Sequence, residues 1–250
     1  MSDFEAALAA VEGVEGWLSD GQARRLWDSA AAVPPGGRIV EIGSFRGRSA
    51  IVLARAVRAG GVELVAIDPH AGGDRGPQEI EADHSRGEAD NRAFASNLER
   101  AGVADAVRHV RLPSSDALGS VSGPVDLLYV DGAHRLRPAM DDIARWGARV
   151  RPGGRMLVHD SFSSIGVTLA LMRLLLFGGD FVYAGRERSL AEYRRVGRPL
   201  RVGERGRNAA RQVGQLPWFA RNVAIKLALV ARAPRPVLRL LGHDSRDWPY

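Results

Sequence analysis

Between residues 38 and 195 the apolar residues come in short solid blocks rather than in strict alternation with polar ones. The blocks are RIVEI (38–42), ELVAI (63–67), VRHVRL (107–112), VDLLYV (125–130) and RMLVH (155–159). A run that is apolar at consecutive positions suits a strand buried on both faces, as in a parallel sheet covered by helices. Helix-forming segments lie between the blocks at about 48–59, 88–101, 138–149 and 165–177. Gly102 closes the second of these, and Pro152-Gly153-Gly154 follows the third. The alternation predicts an α/β, doubly wound domain with helices on both faces of the sheet. FVYAG and SLAEYRRV, separated by a turn around Gly185-Arg186-Glu187, predict a hairpin that closes the sheet with an antiparallel strand. Upstream, WLSDGQARRLWDSAAAV (17–33) reads as a helix with Ser19 or Asp20 as N-cap, stopped by Pro34-Pro35-Gly36-Gly37. The chain therefore divides into a helical lead-in (1–33), a domain (34–197) and a tail (198–250).

Composition narrows the chemistry. A chain of 250 residues, 45% hydrophobic, suits one domain with additions. There is no cysteine, which excludes disulfides, zinc thiolate sites, iron-sulfur clusters and thiol nucleophiles. Lys226 is the only lysine among 35 basic residues, so a P-loop and Schiff-base chemistry in the body of the protein fall away. The start, MSDFEAALAAVEGVEG, lacks the basic-then-apolar order of a secretory signal, and a cytoplasmic protein is expected. The run LPWFARNVAIKLALVA carries Arg221 and Lys226 and is too short and too charged to span a bilayer. The net charge of +6 belongs to the tail: residues 198–250 hold 11 Arg and Lys against 3 Asp and Glu.

The first strand block runs into VEIGSFRGRSA (40–50), which sets Gly43, Ser44 and Gly47 between a strand and a helix. Glycines there let the backbone turn tightly and approach a ligand at a helix N-terminus. Asp68, at the end of the next strand, stands where an acid accepts hydrogen bonds from ribose hydroxyls. The spacing is not Gly-x-Gly-x-x-Gly, which disfavours a dinucleotide. Glu41, before the turn, suits a cationic or amine-bearing ligand and would repel a pyrophosphate.

With Glu41-x-Gly43-x-x-x-Gly47-x-Ser49, Asp68 and Ser115-Asp116, the chain resembles the class I S-adenosylmethionine-dependent methyltransferases over about residues 15–197. The resemblance implies a Rossmann-like, mostly parallel seven-stranded sheet ordered 3-2-1-4-5-7-6 with the last strand antiparallel. It also implies S-adenosylmethionine as cofactor, held by Glu41, Gly43, Ser44, Gly47, Ser49, Asp68, Ser115, Asp116 and Asp131, with Ser115-Asp116 beside adenine. More narrowly, IVEIGSFRGRS, VAIDPH, LLYVDGAH, RPGG and LVHDSF look like the small-molecule O-methyltransferase branch that includes macrolide sugar methyltransferases.

In such a sheet the fourth strand lies beside the first across the switch point, so LLYVDGAH delivers Asp131 and His134 to the cofactor crevice. The fifth ends next door in His159-Asp160-Ser161. Two devices serve methyl transfer to a hydroxyl: His134 as general base, or a divalent cation such as Mg²⁺ held by Asp131 and Asp160. The sugar-methylating relatives imply both, but they carry an acidic pair where this chain has His159-Asp160. Asp141 and Asp142 read as a solvated helix face.

The charged loop 69–91 is long enough to be a lid over the cofactor and part of the acceptor site. In the tail, Trp218, Phe219, Val223, Leu227 and Val230 recur at near-helical spacing among arginines. Such a basic amphipathic helix docks on its own domain, packs between subunits of a homo-oligomer, or makes a peripheral membrane contact. The expected partner is a small hydroxylated acceptor, a sugar or secondary metabolite. Two alternatives are a nucleic-acid methyltransferase and a non-methylating accessory or hydroxylase-like module of the same fold. Asp131-Gly132-Ala133-His134 in place of an Asn/Asp-Pro-Pro-Tyr/Phe run weighs against nucleic acid.

Overall fold

The computed structural model describes residues 2–57, 60–73 and 81–243. Its centre is a seven-stranded sheet of β1 (Arg38–Ile42), β2 (Glu63–Ile67), β3 (Val107–Val110), β4 (Val125–Val130), β5 (Val150–Val158), β6 (Phe181–Glu187) and β7 (Leu190–Arg195). The order is β3-β2-β1-β4-β5-β7-β6, parallel through β5, with β7 antiparallel to both neighbours, as the resemblance implied. β4 is buried at all its positions, which explains why its sequence is a solid apolar block.

Successive strand residues point to opposite faces, and each face has its own core. Val40, Ile42, Leu128, Val130, Met156 and Val158 pack on one side. Ile39, Leu64, Ala66, Leu127, Tyr129 and Leu157 pack on the other, against α2 (Asp20–Ala31) and α3 (Arg48–Ala56). Glu41 shares the parity of Ile39 and so enters this second core. The lead-in, with α1 (Asp3–Ala10) before α2, belongs to the same layer. Ser19 caps α2 in a reciprocal box with Gln22, and Arg48 donates to the carbonyls of Val11 and Val14 at 3.1 and 2.8 Å.

Two helices depart from the expected spans. The helix after β2 is α4 (His84–Arg100), which starts earlier because Asp83 accepts from the Arg86 amide at 2.8 Å and caps it. Residues 74–80 of the expected lid lie outside the described residues. The helix after β4 is α5 (Leu136–Asp141), which continues as a π-helical turn over Asp142–Trp146. α6 (Ile165–Leu175) then leads to the hairpin.

The tail folds as α7 (Val202–Val213), α8 (Leu216–Val230) and α9 (Arg235–Leu240). α7 docks on the edge strand: Asn208 accepts from the Tyr183 amide at 2.8 Å and donates to the Phe181 carbonyl at 3.1 Å. Backbone groups that an edge would leave open are thereby paired. Among the described residues no helix is long and apolar enough to cross a membrane.

Candidate active site

A cavity of about 660 Å³ opens at the C-terminal ends of β1, β2 and β4, on either side of the switch point. Its size is that of an ordinary small-ligand site. Gly43 is on its wall with φ of 85°, and a Cβ there would stand 2.1 Å from the carbonyl oxygen of Asp131. Glycine at this position therefore lets the turn after β1 touch the backbone after β4. Gly166 does the same on the other side, since a Cβ there would stand 2.1 Å from the His134 carbonyl oxygen. The segment carrying Asp131 and His134 is clamped between two glycines.

Asp68 is on the wall and accepts from the amides of Phe45 at 2.8 Å and His70 at 2.7 Å. Both carboxylate oxygens are thus held in place while the group faces the cavity, which fits it to receive ribose hydroxyls. Ser115 lines the cavity and donates to Asp116 at 2.9 Å, while Asp116 itself is outside the lining. Glu41, Ser44, Gly47 and Ser49 stand behind the wall rather than on it. Gly47, φ 87°, is the N-cap of α3. Glu41 is fully buried, accepts from Ser49, and has an Oε2 without a hydrogen-bond partner among the described residues. Burial pushes its carboxyl up to about 8, with the Asp131 and Asp68 charges adding to the effect against the Ser49 hydrogen bond.

At the other end four titratable groups converge. His134 Nε2 is 2.7 Å from Asp160 Oδ2. His159 Nδ1 is 3.2 Å from Asp131 Oδ1 and 3.4 Å from Asp160 Oδ2, within ion-pair distance but without good hydrogen-bond alignment. The Tyr129 hydroxyl donates to Asp131 Oδ2 at 2.7 Å. Burial opposes charge on both imidazoles and is outweighed: Asp160 and Asp131 raise His134 above its ordinary value and raise His159 well above it. Burial likewise opposes ionisation of Asp160, but the two imidazoles hold it well below the carboxylate range. Asp160 enters the cluster from a turn with φ of 55°, and Phe162 follows at 57°.

Single ligand atoms of Asp131, His134 and Asp160 lie within 4.8 Å of one another, a reach that one metal ion could bridge. The set differs from the expected pair by the histidine nitrogen, and magnesium favours oxygen ligands. His159, where the sugar-methylating relatives carry an acid, brings an imidazole against both carboxylates instead.

Several wall residues escaped the sequence reading. Asp142 is buried and accepts from Ser114, and burial raises its carboxyl to about 6; the expected solvated face is corrected at this position. Asp142 shares the buried stripe of Ala139, Ile143 and Trp146 at ordinary helical spacing. Trp17 reaches the cavity from the lead-in, and His70 from the loop after β2, its Nε2 paired with the Phe45 carbonyl at 2.7 Å. Trp17 carries no motif, and His70 closes VAIDPH, in which Asp68 alone reads as a site residue.

Residues 40–161 match a family model described as a methyltransferase domain. The chain resembles the cofactor-bound Rv0187 protein from MTB at 25% identity and a TM-score of 0.54, over 77% of this chain and 88% of that one. It also resembles the O-methyltransferase TomG from Streptomyces achromogenes in complex with SAM, at 22% identity and a TM-score of 0.55, over 79% and 91% of the two chains. A third likeness is the SAH-bound methyltransferase PaMTH1 of Podospora anserina, at 17% identity and a TM-score of 0.56, over 78% and 88%. The last two likenesses concern the fold. Taken with the strand order, the cavity at the switch point and the motifs along its rim, the match gives residues 40–161 as a methyltransferase domain of the S-adenosylmethionine-dependent kind.

Proposed function

We propose that the chain transfers a methyl group to a hydroxyl of a small molecule, with His134 as general base. The observation that carries the proposal is the His134–Asp160 contact of 2.7 Å on the wall of the cofactor cavity. When bound, S-adenosylmethionine supplies a methyl group on a sulfonium centre. Asp68 would receive its ribose, Gly43 the backbone approach, and Ser115 the adenine end. Glu41 and Ser49 support that turn from behind.

The chain's own work is to align an acceptor oxygen and take its proton. A neutral His134 that donates Nε2–H to Asp160 keeps Nδ1 as the accepting nitrogen. Asp160 then stabilises the imidazolium that forms, the role of an orienting carboxylate beside a histidine base. Asp131, held by Tyr129 and beside His159, fixes the charge balance of the cluster. With the full chain and labelled S-adenosylmethionine, a panel of phenols, alcohols and sugars tests the reading. His134→Ala is expected to lower turnover about 10²-fold or more with cofactor binding intact. Unchanged turnover would remove His134 from the mechanism.

A second reading is favoured by the mutual reach of Asp131, His134 and Asp160. A divalent cation held there would lower the pKa of the acceptor hydroxyl. One nitrogen in the set suits manganese or zinc better than magnesium. His134 Nε2 would then be a ligand and no longer donate to Asp160. Loss of turnover in EDTA, restored by one added metal, selects this reading; full turnover in EDTA selects the first.

A further inference from the structure

We propose that a second cavity, walled by α8, is the site of the methyl acceptor, and that it takes an alcohol or phenol carried on an apolar body. This rests on the methyl-transfer reading above and adds to it the acceptor's place and chemical class. The second cavity has a volume of about 440 Å³. His134, Arg135 and Asp160 line it and also line the cofactor cavity. The His134–Asp160 pair is therefore the shared partition between two spaces. Methyl transfer needs the acceptor oxygen beside the base and in line with the carbon being transferred. A molecule in the second cavity whose hydroxyl reaches His134 meets the first demand from a space that does not compete with the cofactor.

The walls define what the rest of that molecule is. Leu136 and Ile165 line the cavity together with Val223, Leu227 and Val230 of α8. Ile165, Leu227 and Val230 are 57%, 65% and 70% exposed. Single exposed apolar side chains are ordinary, but several gathered around one cavity are the mark of a binding surface. A ligand with an apolar body removes them from water, whereas a bare sugar presents hydroxyls on every side and leaves them wet.

α8 is held in place as a wall. Asn222, fully buried, donates to the Phe162 carbonyl at 3.2 Å, and Lys226, the only lysine, donates to the Ser163 carbonyl at 3.0 Å. Both acceptors belong to the left-handed turn that begins at Asp160. The turn that delivers the orienting carboxylate and the helix that encloses the acceptor are thus joined by two hydrogen bonds.

The test is calorimetric binding of 4-ethylphenol, 4-pentylphenol and methyl glucoside to the full chain saturated with S-adenosylhomocysteine. We expect affinity to rise roughly tenfold or more from the ethyl to the pentyl compound, and methyl glucoside to bind more weakly than either. Val223→Trp, which fills the cavity, is expected to weaken 4-pentylphenol at least tenfold and leave S-adenosylhomocysteine unchanged, since Val223 is absent from the cofactor wall. Leu227→Gln, at a largely exposed position, should give a smaller loss in the same direction and covers the case of a misfolded tryptophan variant. Equal affinity for the two phenols, or full 4-pentylphenol binding in both variants, overturns the proposal. So does flotation with anionic vesicles that Leu227→Gln abolishes while phenol binding stays intact, because the apolar rim would then be a membrane contact. A wild-type chain that does not bind S-adenosylhomocysteine overturns the methyl-transfer reading itself.

Discussion

Glu41→Gln replaces a fully buried carboxyl by an amide of the same shape, and its effect on stability should depend on pH in a calculable way. In the fold the Glu41 carboxyl titrates at about 8, against an ordinary 4.5, with burial as the largest cause. Between those values the folded protein holds a proton there that the unfolded chain has released. The contribution of this group is therefore fully present below pH 4.5 and is lost as pH rises through 8. With about 1.36 kcal/mol per pH unit in that window, the wild type loses about 3.5 kcal/mol of stability from this group between pH 5 and pH 8. The glutamine variant has no proton to lose. Urea unfolding of both proteins at the two pH values isolates the effect, because every other titrating group cancels in the difference. The wild type should fall relative to Glu41→Gln by about 3.5 kcal/mol on going from pH 5 to pH 8. If the difference between the two proteins is the same at both pH values, Glu41 is ionised in the fold, and the account of an acid buried behind the glycine turn is wrong.

Three other outcomes are expected. Gly43→Ala places a methyl 2.1 Å from the Asp131 carbonyl oxygen at a φ of 85°, and should cost roughly 3 kcal/mol or more in thermal or urea unfolding, together with cofactor affinity; a neutral result would mean that β1 and β4 do not meet there. Turnover should rise with pH along a limb set by His134, because only its neutral form accepts a proton. Asp160 raises that group, so the midpoint should lie above 6.5, and a limb at or below that value would contradict the pairing. Asn208→Ala leaves the Tyr183 amide and the Phe181 carbonyl of the edge strand without their side-chain partner, and should cost about 1–3 kcal/mol in urea unfolding, with the cofactor cavity unaffected.

Much of the architecture was open to a reader of the residues. Solid apolar blocks mark strands covered on both sides, and β1, β2 and β4 have the bounds that the blocks suggest. Asp131, His134 and Asp160 were legible because a parallel strand must end at the crevice, so the residues that follow it face a ligand. The burial of Asp142 was missed because two adjacent acids read as a solvated face, although Asp142 stands at helical spacing from Ala139, Ile143 and Trp146 on the buried stripe. Glu41 was legible as an acid before a glycine turn, but its parity with Ile39 sends it into the second core and behind the cavity wall.

The strand order and S-adenosylmethionine came with the family resemblance that the motifs carry; the residues by themselves determined strands buried on both faces, and a glycine turn and an acid placed for a nucleotide-type ligand. These follow from local rules: burial on two faces dictates composition, and a backbone that approaches a ligand dictates glycine. Only the tertiary structure decided that His159 meets both carboxylates, that His134 pairs with Asp160, and that α8 closes a second cavity against that pair. These contacts join residues distant in the chain, with distances set by how a left-handed turn and a docked helix pack, and no spacing along one strand or helix encodes them.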